Sequence, residues 1–229
     1  MNFLWSNFGL VWNLTLSHVW LSAIPIVVGF AVSLPIGWVA NRYKVSRPVL
    51  LTIGGILYTI PSLPLFFAMP ALIGTKILDP ANVVVALSIY AVALLVRTTT
   101  DALASVPGDV VQSATAIGYS SWRRFWAVEL PLAGPVLLAG LRVVSVSTVS
   151  LVSVGALLGV PNLGQLFTDG LNRSYTEEVA VGIILIMVIA LVFDLVLVLL
   201  GRLLLPWSRL DKRAGRLRRN AAMKAVTGA

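Results

Sequence analysis

Long runs without a charged residue dominate this chain and alternate with short polar stretches. The charge-free runs cover residues 1–41, 48–75, 80–96 and 143–168. Because about 18–20 apolar residues in a helix cross the hydrocarbon core of a bilayer, this pattern predicts membrane-spanning helices. We predict five spans, at residues 18–40, 48–73, 80–98, 130–160 and 178–205. The predicted fold class is an all-α polytopic membrane protein.

The composition agrees with a membrane protein and excludes several kinds of chemistry. Of 229 residues, 58% are hydrophobic and 11% are charged, against roughly 25% charged in an average soluble domain. The chain has no cysteine, which excludes disulfides, thiol catalysis and cysteine metal sites. The only histidine, His18, cannot form a metal cluster by itself, and we expect it near a membrane interface.

The basic residues are distributed asymmetrically, which orients the predicted spans. With the 41–47 loop placed inside, fourteen of the seventeen Lys and Arg residues lie on the cytoplasmic side and two lie outside. The positive-inside rule favours this arrangement. We therefore expect the N-terminus to lie outside and the C-terminus in the cytoplasm.

Two segments flank the membrane domain, which we place at residues 18–206. Residues 1–17 carry large apolar side chains at helical spacing, so they form either an interfacial helix or a lead-in to the first span. Those side chains are Trp5, Phe8, Trp12 and Leu16. Residues 207–229 are strongly basic and are predicted to lie on the anionic inner leaflet. This pattern indicates contact with membrane lipids and no nucleic-acid binding.

Prolines interrupt the second span. Each proline removes a backbone donor and clashes with the preceding turn, so the helix must bend or break. In lipid, the freed carbonyls require protein or a watery cavity beside them. The side chains at the break are candidates for the translocation pathway; they are Tyr58, Thr59, Pro61 and Ser62. The alternative is that the prolines only shape helix packing.

The fourth span carries hydroxyl side chains that allow two interpretations. Small residues let helices approach closely, and their hydroxyls bond polar partners in a bundle. Close packing at a subunit interface is one interpretation. The other is a wetted transport path, for which Ser147 and Ser150 are the candidates.

Two charges lie inside predicted spans. An isolated charge at mid-bilayer is costly, so such residues normally pair or contact water. Arg142 lies about twelve residues from the inner start of span four, and Asp194 about ten from the inner end of span five. At about 1.5 Å per residue their depths are similar, and we predict an ion pair between them. The alternative is that Arg142 snorkels to the inner boundary.

A polar segment, residues 107–131, separates two apolar runs and is unsuited to lipid. Asp109 is predicted to cap a short helix that ends at Ile117. Gly118 follows at the position where a helix commonly ends in a left-handed turn. The segment therefore predicts a bent element at the inner membrane surface.

A second short helix is predicted to follow this turn, capped by Ser120 or Ser121. Its aromatic side chains are expected to form an apolar knob toward the cytoplasm, where the groove of a partner receives it. These side chains are Trp122, Phe125 and Trp126. Pro131, where this helix meets the fourth span, and Gly118 are the predicted joints.

The polar segment resembles the EAA loop of permease subunits of ATP-binding-cassette (ABC) importers. That family's pattern is Glu-Ala-Ala, three residues, Gly, nine residues, Ile, one residue and Leu-Pro. This chain has Gln112-Ser113-Ala114, three residues, Gly118, nine residues and Val128-Glu129-Leu130-Pro131. It departs from the pattern at Gln112, which lacks the acid, and at Ser113. The resemblance implies that these residues couple the chain to an ATPase: Gln112, Ser113, Ala114, Gly118, Val128, Leu130 and Pro131.

Further stretches look like the branch of these importers that carries quaternary-amine osmolytes. They are YTIPSLPLFF at 58–67, ALSIYAVALLVRTTTDAL at 86–103, VELPLAGPVLLAGLR at 128–142 and GVPNLGQLFTDGL at 159–171. The resemblance implies an ABC importer permease fold with about five transmembrane helices and a cytoplasmic coupling helix, in a bacterial plasma membrane. It also implies the import of an osmolyte such as glycine betaine, carnitine or choline.

The same resemblance implies partners and the absence of a cofactor on this chain. Two permease subunits, identical or paralogous, form the pore in that family, and two cytoplasmic ATPase subunits hold ATP and Mg²⁺. An external substrate-binding lipoprotein delivers the solute. The chain lacks a Gly-x-x-x-x-Gly-Lys-Ser/Thr phosphate loop, so we expect hydrolysis on a separate subunit. No residue here is expected to be catalytic or to bind a metal.

Other functions remain as alternatives. A permease for another small solute, such as an amino acid, has the same architecture. An ion-coupled secondary carrier typically needs midplane carboxylates in broken helices, and only Asp194 is available within a predicted span. A membrane enzyme needs a nucleophile with a base, or a metal cluster, and the chain offers neither. A scaffold that binds a cytoplasmic partner leaves the broken second span unexplained.

Overall fold

The computed structural model describes residues 2–43 and 45–207, and the regular structure in those ranges is helical. The first elements are α1 (Asn2–Ser6), α2 (Phe8–Arg42), α3 (Ser46–Thr59), α4 (Ser62–Ile73) and α5 (Pro80–Ala104). Next come α6 (Gly108–Ala116), α7 (Ser121–Arg124), a π-helical turn (Phe125–Glu129) and α8 (Leu130–Val152). A 3₁₀ turn (Ser153–Leu158), α9 (Gln165–Asn172) and α10 (Thr176–Leu204) complete the order. The predicted basic tail from residue 208 onward lies outside the described residues.

The prediction of five spans agrees with the helices. Four helical segments in the described ranges are long and apolar enough to cross a membrane, namely Phe8–Arg42, Pro80–Ala104, Ser121–Leu158 and Thr176–Leu204. Helices α3 and α4 pass the same test together, although they are bent by 101° at the break between them. Counting this pair as one broken span gives five.

The N-terminal segment continues into the helix of the first predicted span. Helix α2 is continuous from Phe8 to Arg42, so residues 8–17 belong to the same helix as that span. Val11 and Leu14 on these turns are buried in a cluster with Leu163 and Val181. Hydrophobic periodicity identified the helix, but it could not show that the opposite side of these turns packs against α9 and α10.

Helix α5 lies at the centre of the bundle, in contact with α2, α3, α4 and α8. Gly29 and Gly37 of α2 lie against Ala91 and Thr99 of α5, in the same chain direction. In contrast, α3 runs opposite to α5, because Arg47 pairs with Asp101 and the carbonyl of Ile60 meets Tyr90.

Helices α8 and α10 continue this alternation of direction. Gly140 of α8 meets Thr98 of α5, while His18 near the start of α2 contacts Val149 near the end of α8. His18 was expected near an interface, but it is fully buried, and its Nε2 lies 3.0 Å from the Val149 carbonyl oxygen. Successive spans therefore run in opposite directions, as the predicted placement of the 41–47 loop on the inner side requires.

Close contact between α2 and α5 depends on glycine. A Cβ added at Gly29 would lie 2.5 Å from the Cβ of Ala91, whereas one added at Gly55 of α3 would meet nothing within 4 Å. Overpacking of this kind typically costs about 1–3 kcal/mol. We expect Gly29→Leu to lower the thermal stability of the purified protein and Gly55→Leu to leave it nearly unchanged. Equal melting temperatures in a detergent unfolding assay would contradict this packing.

The break between α3 and α4 shows how the bundle accommodates proline. In a continuous helix the carbonyl of Ile60 would accept a hydrogen bond from residue 64, but Pro64 has no N–H. The hydroxyl of Tyr90 on α5 donates to that carbonyl instead. The predicted interruption of the second span is confirmed, and a side chain of the central helix satisfies the freed group.

Candidate functional site

The polar segment forms a bent element between α5 and α8, which we call the elbow (residues 107–131). Its first helix, α6, begins at Gly108, one residue earlier than the cap predicted at Asp109. Pro107 precedes the helix in an extended conformation and makes no side-chain cap hydrogen bond. Asp109 instead lies in the first turn, where its charge complements the helix dipole.

The predicted left-handed turn at Gly118 is confirmed. Gly118 has a φ of +90°, a value that L side chains rarely adopt. Its N–H donates to the carbonyl of Thr115 at 3.0 Å, and the N–H of Tyr119 donates to that of Ala114 at 3.1 Å. These bonds satisfy carbonyls at the end of α6. Ser120 then caps α7 by accepting a hydrogen bond from the N–H of Arg123, as predicted for one of the two serines.

The second helix of the elbow is not a separate element. Helix α7 continues through the π-helical turn into α8, so that residues 121–158 form one helical segment. Pro131 lies inside this continuous segment, directly after the π-helical turn. Its role as a joint remains a prediction. The change of direction lies at Gly118.

The predicted apolar knob does not point away from the membrane domain. Phe125 is buried, and its ring packs against Trp38 of α2 at a centroid distance of 5.9 Å. Trp122 and Trp126 flank it and, with residues 31–38 of α2, line a cavity of about 260 Å³. Since those α2 residues belong to the first span, the aromatic side chains lie at the membrane boundary, where tryptophan is common.

Trp122 and Trp126 remain 59% and 46% exposed, and a second exposed part of the elbow is the outer face of α6. Gln112 and Ser113 are exposed on this helix, while Ala114 is buried against the bundle. Ile117 follows the last residue of α6 and is 76% exposed. Single exposed apolar side chains are common on proteins, and Ile117 is a candidate docking residue because it lies within the segment that carries the resemblance. We call Ser113 and Ile117, which are four residues apart, the α6 face; Gln112 lies beside it and also lines the cavity beneath α6.

The remaining residues of the resemblance lie at the base of α8. Val128, Leu130 and Pro131 are each partly buried. Leu130 packs with Phe125 and Val111 against the end of α5. These positions hold the elbow on the bundle and contribute little exposed surface.

Sequence reasoning missed an arginine that links the two halves of the elbow. The Nε of Arg124 donates to Oε1 of Glu129 at 2.6 Å, and its Nη1 donates to Oγ1 of Thr115 on α6 at 2.6 Å. The Arg124 and Glu129 side chains are 14% and 8% exposed. Residues five apart lie on different sides of an α-helix, but the π-helical turn brings them together. No sequence pattern signalled that turn.

A cavity of about 480 Å³ lies between α6 and the ends of α2 and α5. Its polar lining includes Asn41, Arg42, Gln112, Arg124 and Glu129. Arg124 and Glu129 thus form one wall of the space beneath α6. The elbow is held away from α2 at this point and is attached to the bundle mainly through its apolar side.

The structure places the predicted pathway residues in two separate regions. Tyr58, Thr59 and Pro61 are exposed at the α3–α4 break, and Ser62 is partly buried. The ring of Tyr58 packs edge-on against that of Tyr90 at 5.8 Å. The other two candidates lie on α8, with Ser150 exposed and Ser147 partly buried. A role for these residues in translocation remains a prediction.

The predicted ion pair within the membrane is present. Arg142 of α8 donates from Nε to Oδ1 of Asp194 at 2.6 Å and from Nη2 to Oδ2 at 2.7 Å. This two-pronged geometry is the strong form of an Arg–carboxylate contact. The side chains are 41% and 29% exposed in the single chain. Since charges avoid acyl chains, we expect protein or water to cover them in the assembly.

The described residues contain no group of three or more His, Asp or Glu side chains arranged to hold a metal ion. The site therefore consists of an exposed short helix, a glycine turn and an internal arginine link.

A family model described as "binding-protein-dependent transport system inner membrane component" matches residues 33–209. The chain is 31% identical over 210 residues to the osmoprotectant import permease protein OsmW of Salmonella typhimurium, covering 90% of this chain and 97% of that protein. It is 30% identical to the glycine betaine/carnitine/choline transport system permease protein OpuCB of Bacillus subtilis, covering 90% and 94%.

Solved structures share the fold. The inward-facing MetNI methionine ABC transporter matches with a TM-score of 0.71 at 20% identity, covering 84% of this chain and 96% of that one. An amino acid ABC transporter with histidines matches with a TM-score of 0.71 at 17% identity, covering 86% and 95%. At these identities the likeness concerns the arrangement of helices.

Proposed function

From the premise that this chain belongs to the family of binding-protein-dependent transport system inner membrane components, we propose that it carries a quaternary-amine osmolyte, such as glycine betaine, carnitine or choline, into the cell. The chain is a permease subunit of an ABC importer and not an enzyme, because ATP hydrolysis in this family belongs to a separate ATPase subunit. It is a multi-pass protein of the inner membrane.

The substrate class rests on relatives that match nearly the full length. Relatives at 30–31% identity over 90% of this chain are named as permeases for osmoprotectants or for glycine betaine, carnitine and choline. The solved amino-acid importers are more distant, at 17–20% identity, and support the fold alone. An amino-acid substrate is therefore the second candidate.

The proposed mechanism is alternating access driven from the cytoplasm. Two ATPase subunits bind ATP and Mg²⁺ and grip the α6 face, and their closure displaces the elbow. A second permease, identical or paralogous, completes the pore, and an external binding lipoprotein delivers the solute. The N-terminus lies outside in this arrangement, which places the 41–47 loop and the elbow on the same, cytoplasmic side. The even alternation of helix directions supports that placement.

The α6 face gives a direct prediction about the ATPase. We expect Ile117→Asp to reduce co-purification of the ATPase about tenfold or more, because it puts a charge into an apolar contact. Leu171→Asp is the matched control, since Leu171 is 71% exposed on α9, toward the opposite membrane face. Loss of the ATPase from both variants, or from neither, would contradict docking at α6.

Transport in proteoliposomes tests the function. The permease, a candidate ATPase and a candidate binding protein are reconstituted together, and ATP-dependent uptake of radiolabelled glycine betaine is measured. We expect carnitine or choline in excess to compete, and methionine or histidine to leave the uptake unchanged. Uptake of an amino acid in place of the quaternary amines would favour the second candidate. ATP-independent uptake driven by an ion gradient would reject the ABC mechanism.

A further inference from the structure

We propose that Arg124 is a positioning residue that makes the elbow rigid, so that displacement of α6 by the ATPase reaches the spanning helix α8. This inference rests on the proposed function for its transport readout. It concerns variable positions of the motif that carried the resemblance: Thr115 in its three-residue gap, Arg124 in its nine-residue gap, and Glu129 before Leu130.

The need for such a residue follows from the chain path. Helix α6 has nine residues, and an isolated helix of this length is marginal in water. Its covalent link to α7 passes through Gly118, where φ is +90° and where the backbone is most permissive. A displacement of α6 could be absorbed at this turn. Transmission to α8 therefore requires a contact that crosses the turn.

Arg124 provides that contact with one planar group. Its Nη1 reaches Thr115 on one side of the turn, and its Nε reaches Glu129 at the base of α8, both at 2.6 Å. The Thr115 hydroxyl donates its own proton to the Val111 carbonyl at 2.8 Å. Its oxygen is thereby oriented to accept from Arg124. A guanidinium has donors in a fixed fork and can hold both partners, whereas a lysine has one nitrogen.

Burial and charge favour a lasting Arg124–Glu129 pair, which fixes the guanidinium for its hydrogen bond to the exposed Thr115 hydroxyl. The Arg124 and Glu129 side chains are almost covered, unlike the Arg47–Asp101 pair at the surface, which is 42% and 54% exposed. Charge-assisted hydrogen bonds gain strength when they are shielded from water. Because a cavity lies beneath α6, the inner side of this helix has less packing against the bundle. The hydrogen bonds of Arg124 therefore contribute more to the position of α6. The neighbouring Arg123 lies 5.0 Å from the ring centroid of Tyr119, a residue on its own side of the Gly118 turn.

The sharpest test changes the hydroxyl of Thr115, because this leaves the Arg124–Glu129 pair intact. Thr115→Val keeps the shape and loses the acceptor, whereas Thr115→Ser keeps the acceptor. In the reconstituted importer we expect Thr115→Val to lower the solute imported per ATP about tenfold, the loss expected for one charge-assisted hydrogen bond. ATPase co-purification and ATP hydrolysis should stay near the wild-type values. Thr115→Ser should match the wild type.

Further variants test the arginine itself. Arg124→Lys is expected to uncouple transport like Thr115→Val, because the three donors of an ammonium sit on one nitrogen and lack the fixed spacing with which the guanidinium reaches Thr115 and Glu129. The double variant Arg124→Gln/Glu129→Gln removes both charges and leaves no buried carboxylate unpaired, so it should fold and be uncoupled. Arg123→Gln removes a positive charge at the adjacent position, and we expect transport to remain coupled to ATP hydrolysis in this variant. The proposal would be overturned if Thr115→Val or Arg124→Lys imported as much solute per ATP as the wild type. It would also be overturned if these variants lost ATPase co-purification and ATP hydrolysis together with transport.

A distance measurement separates this proposal from the proposed function. The chain contains no cysteine, so nitroxide labels at Ser113→Cys and Leu132→Cys report the separation of α6 from α8 without solute or transport. We expect a narrow distance distribution in the wild type and in Thr115→Ser, and a clearly broader one in Thr115→Val. Equal widths would overturn the link even if transport is confirmed. If solute uptake is absent but the distance distribution broadens in Thr115→Val as expected, only the substrate assignment is rejected.

Discussion

Replacing Gly118 with valine is expected to abolish solute-stimulated ATP hydrolysis by the importer. Gly118 has a φ of +90°, and a left-handed conformation costs an L-residue about 1–2 kcal/mol, with β-branched side chains among the worst placed. A Cβ at this position would meet nothing within 4 Å, so the penalty comes from the backbone alone. The turn would open and move the α6 face away from its place relative to α8.

The measurement is co-purification of the ATPase together with the rate of ATP hydrolysis in the presence of loaded binding protein. Gly118→Asn is the matched control, because asparagine tolerates left-handed conformations and is expected to keep most of the activity. We expect a fall of about tenfold or more for valine, as about 1.4 kcal/mol corresponds to a factor of ten. Equal activity of the two variants would show that the turn does not set the position of α6.

Replacing Asp194 with asparagine is expected to prevent assembly of the permease. Asp194 holds Arg142 by two hydrogen bonds of 2.6 and 2.7 Å within membrane-spanning helices. The substitution leaves the arginine without its countercharge in a region that disfavours isolated charge, and we expect the yield of assembled importer to fall about tenfold or more. The measurement is the yield of monodisperse permease–ATPase complex after extraction.

Two variants accompany this experiment. The exchange Arg142→Asp with Asp194→Arg restores opposite charges and should recover part of the yield. Asp101→Asn breaks the exposed pair with Arg47, at 3.2 Å, and such surface pairs contribute only about 0–1 kcal/mol, so the yield should change little. A normal yield for Asp194→Asn, or a yield for the exchange no better than for Asp194→Asn, would contradict a structural role for the pair.

Much of the fold could be predicted because lipid imposes simple requirements on the chain. Uncharged runs long enough to cross a bilayer identified five passes, and Pro61 and Pro64 located the broken one. The depth of Arg142 and Asp194, counted at one helical rise per residue, was enough to pair them. The turn at Gly118 followed from the need for a left-handed residue at the end of α6.

Other features of the site depend on contacts that periodicity does not contain. The spacing of Trp122, Phe125 and Trp126 showed that they share one side, but the packing of Phe125 on Trp38 decided that this side lies against α2. The Arg124–Glu129 pair depends on a π-helical turn, and no pattern in the sequence indicated that turn. Pro131 suggested a joint, yet at the start of α8 it is compatible with a continuous helix.

The position of the α6 face on the cytoplasmic side, covered by the ATPase, can be measured directly. Because the chain has no cysteine, Ser113→Cys supplies a single thiol on α6, and Leu171→Cys supplies one on α9. A membrane-impermeant maleimide should label Ser113→Cys only in inverted vesicles stripped of ATPase and should fail to do so once the ATPase is bound. Leu171→Cys should be labelled only in intact cells. Labelling of Ser113→Cys from outside the cell, or labelling unaffected by the ATPase, would contradict the account.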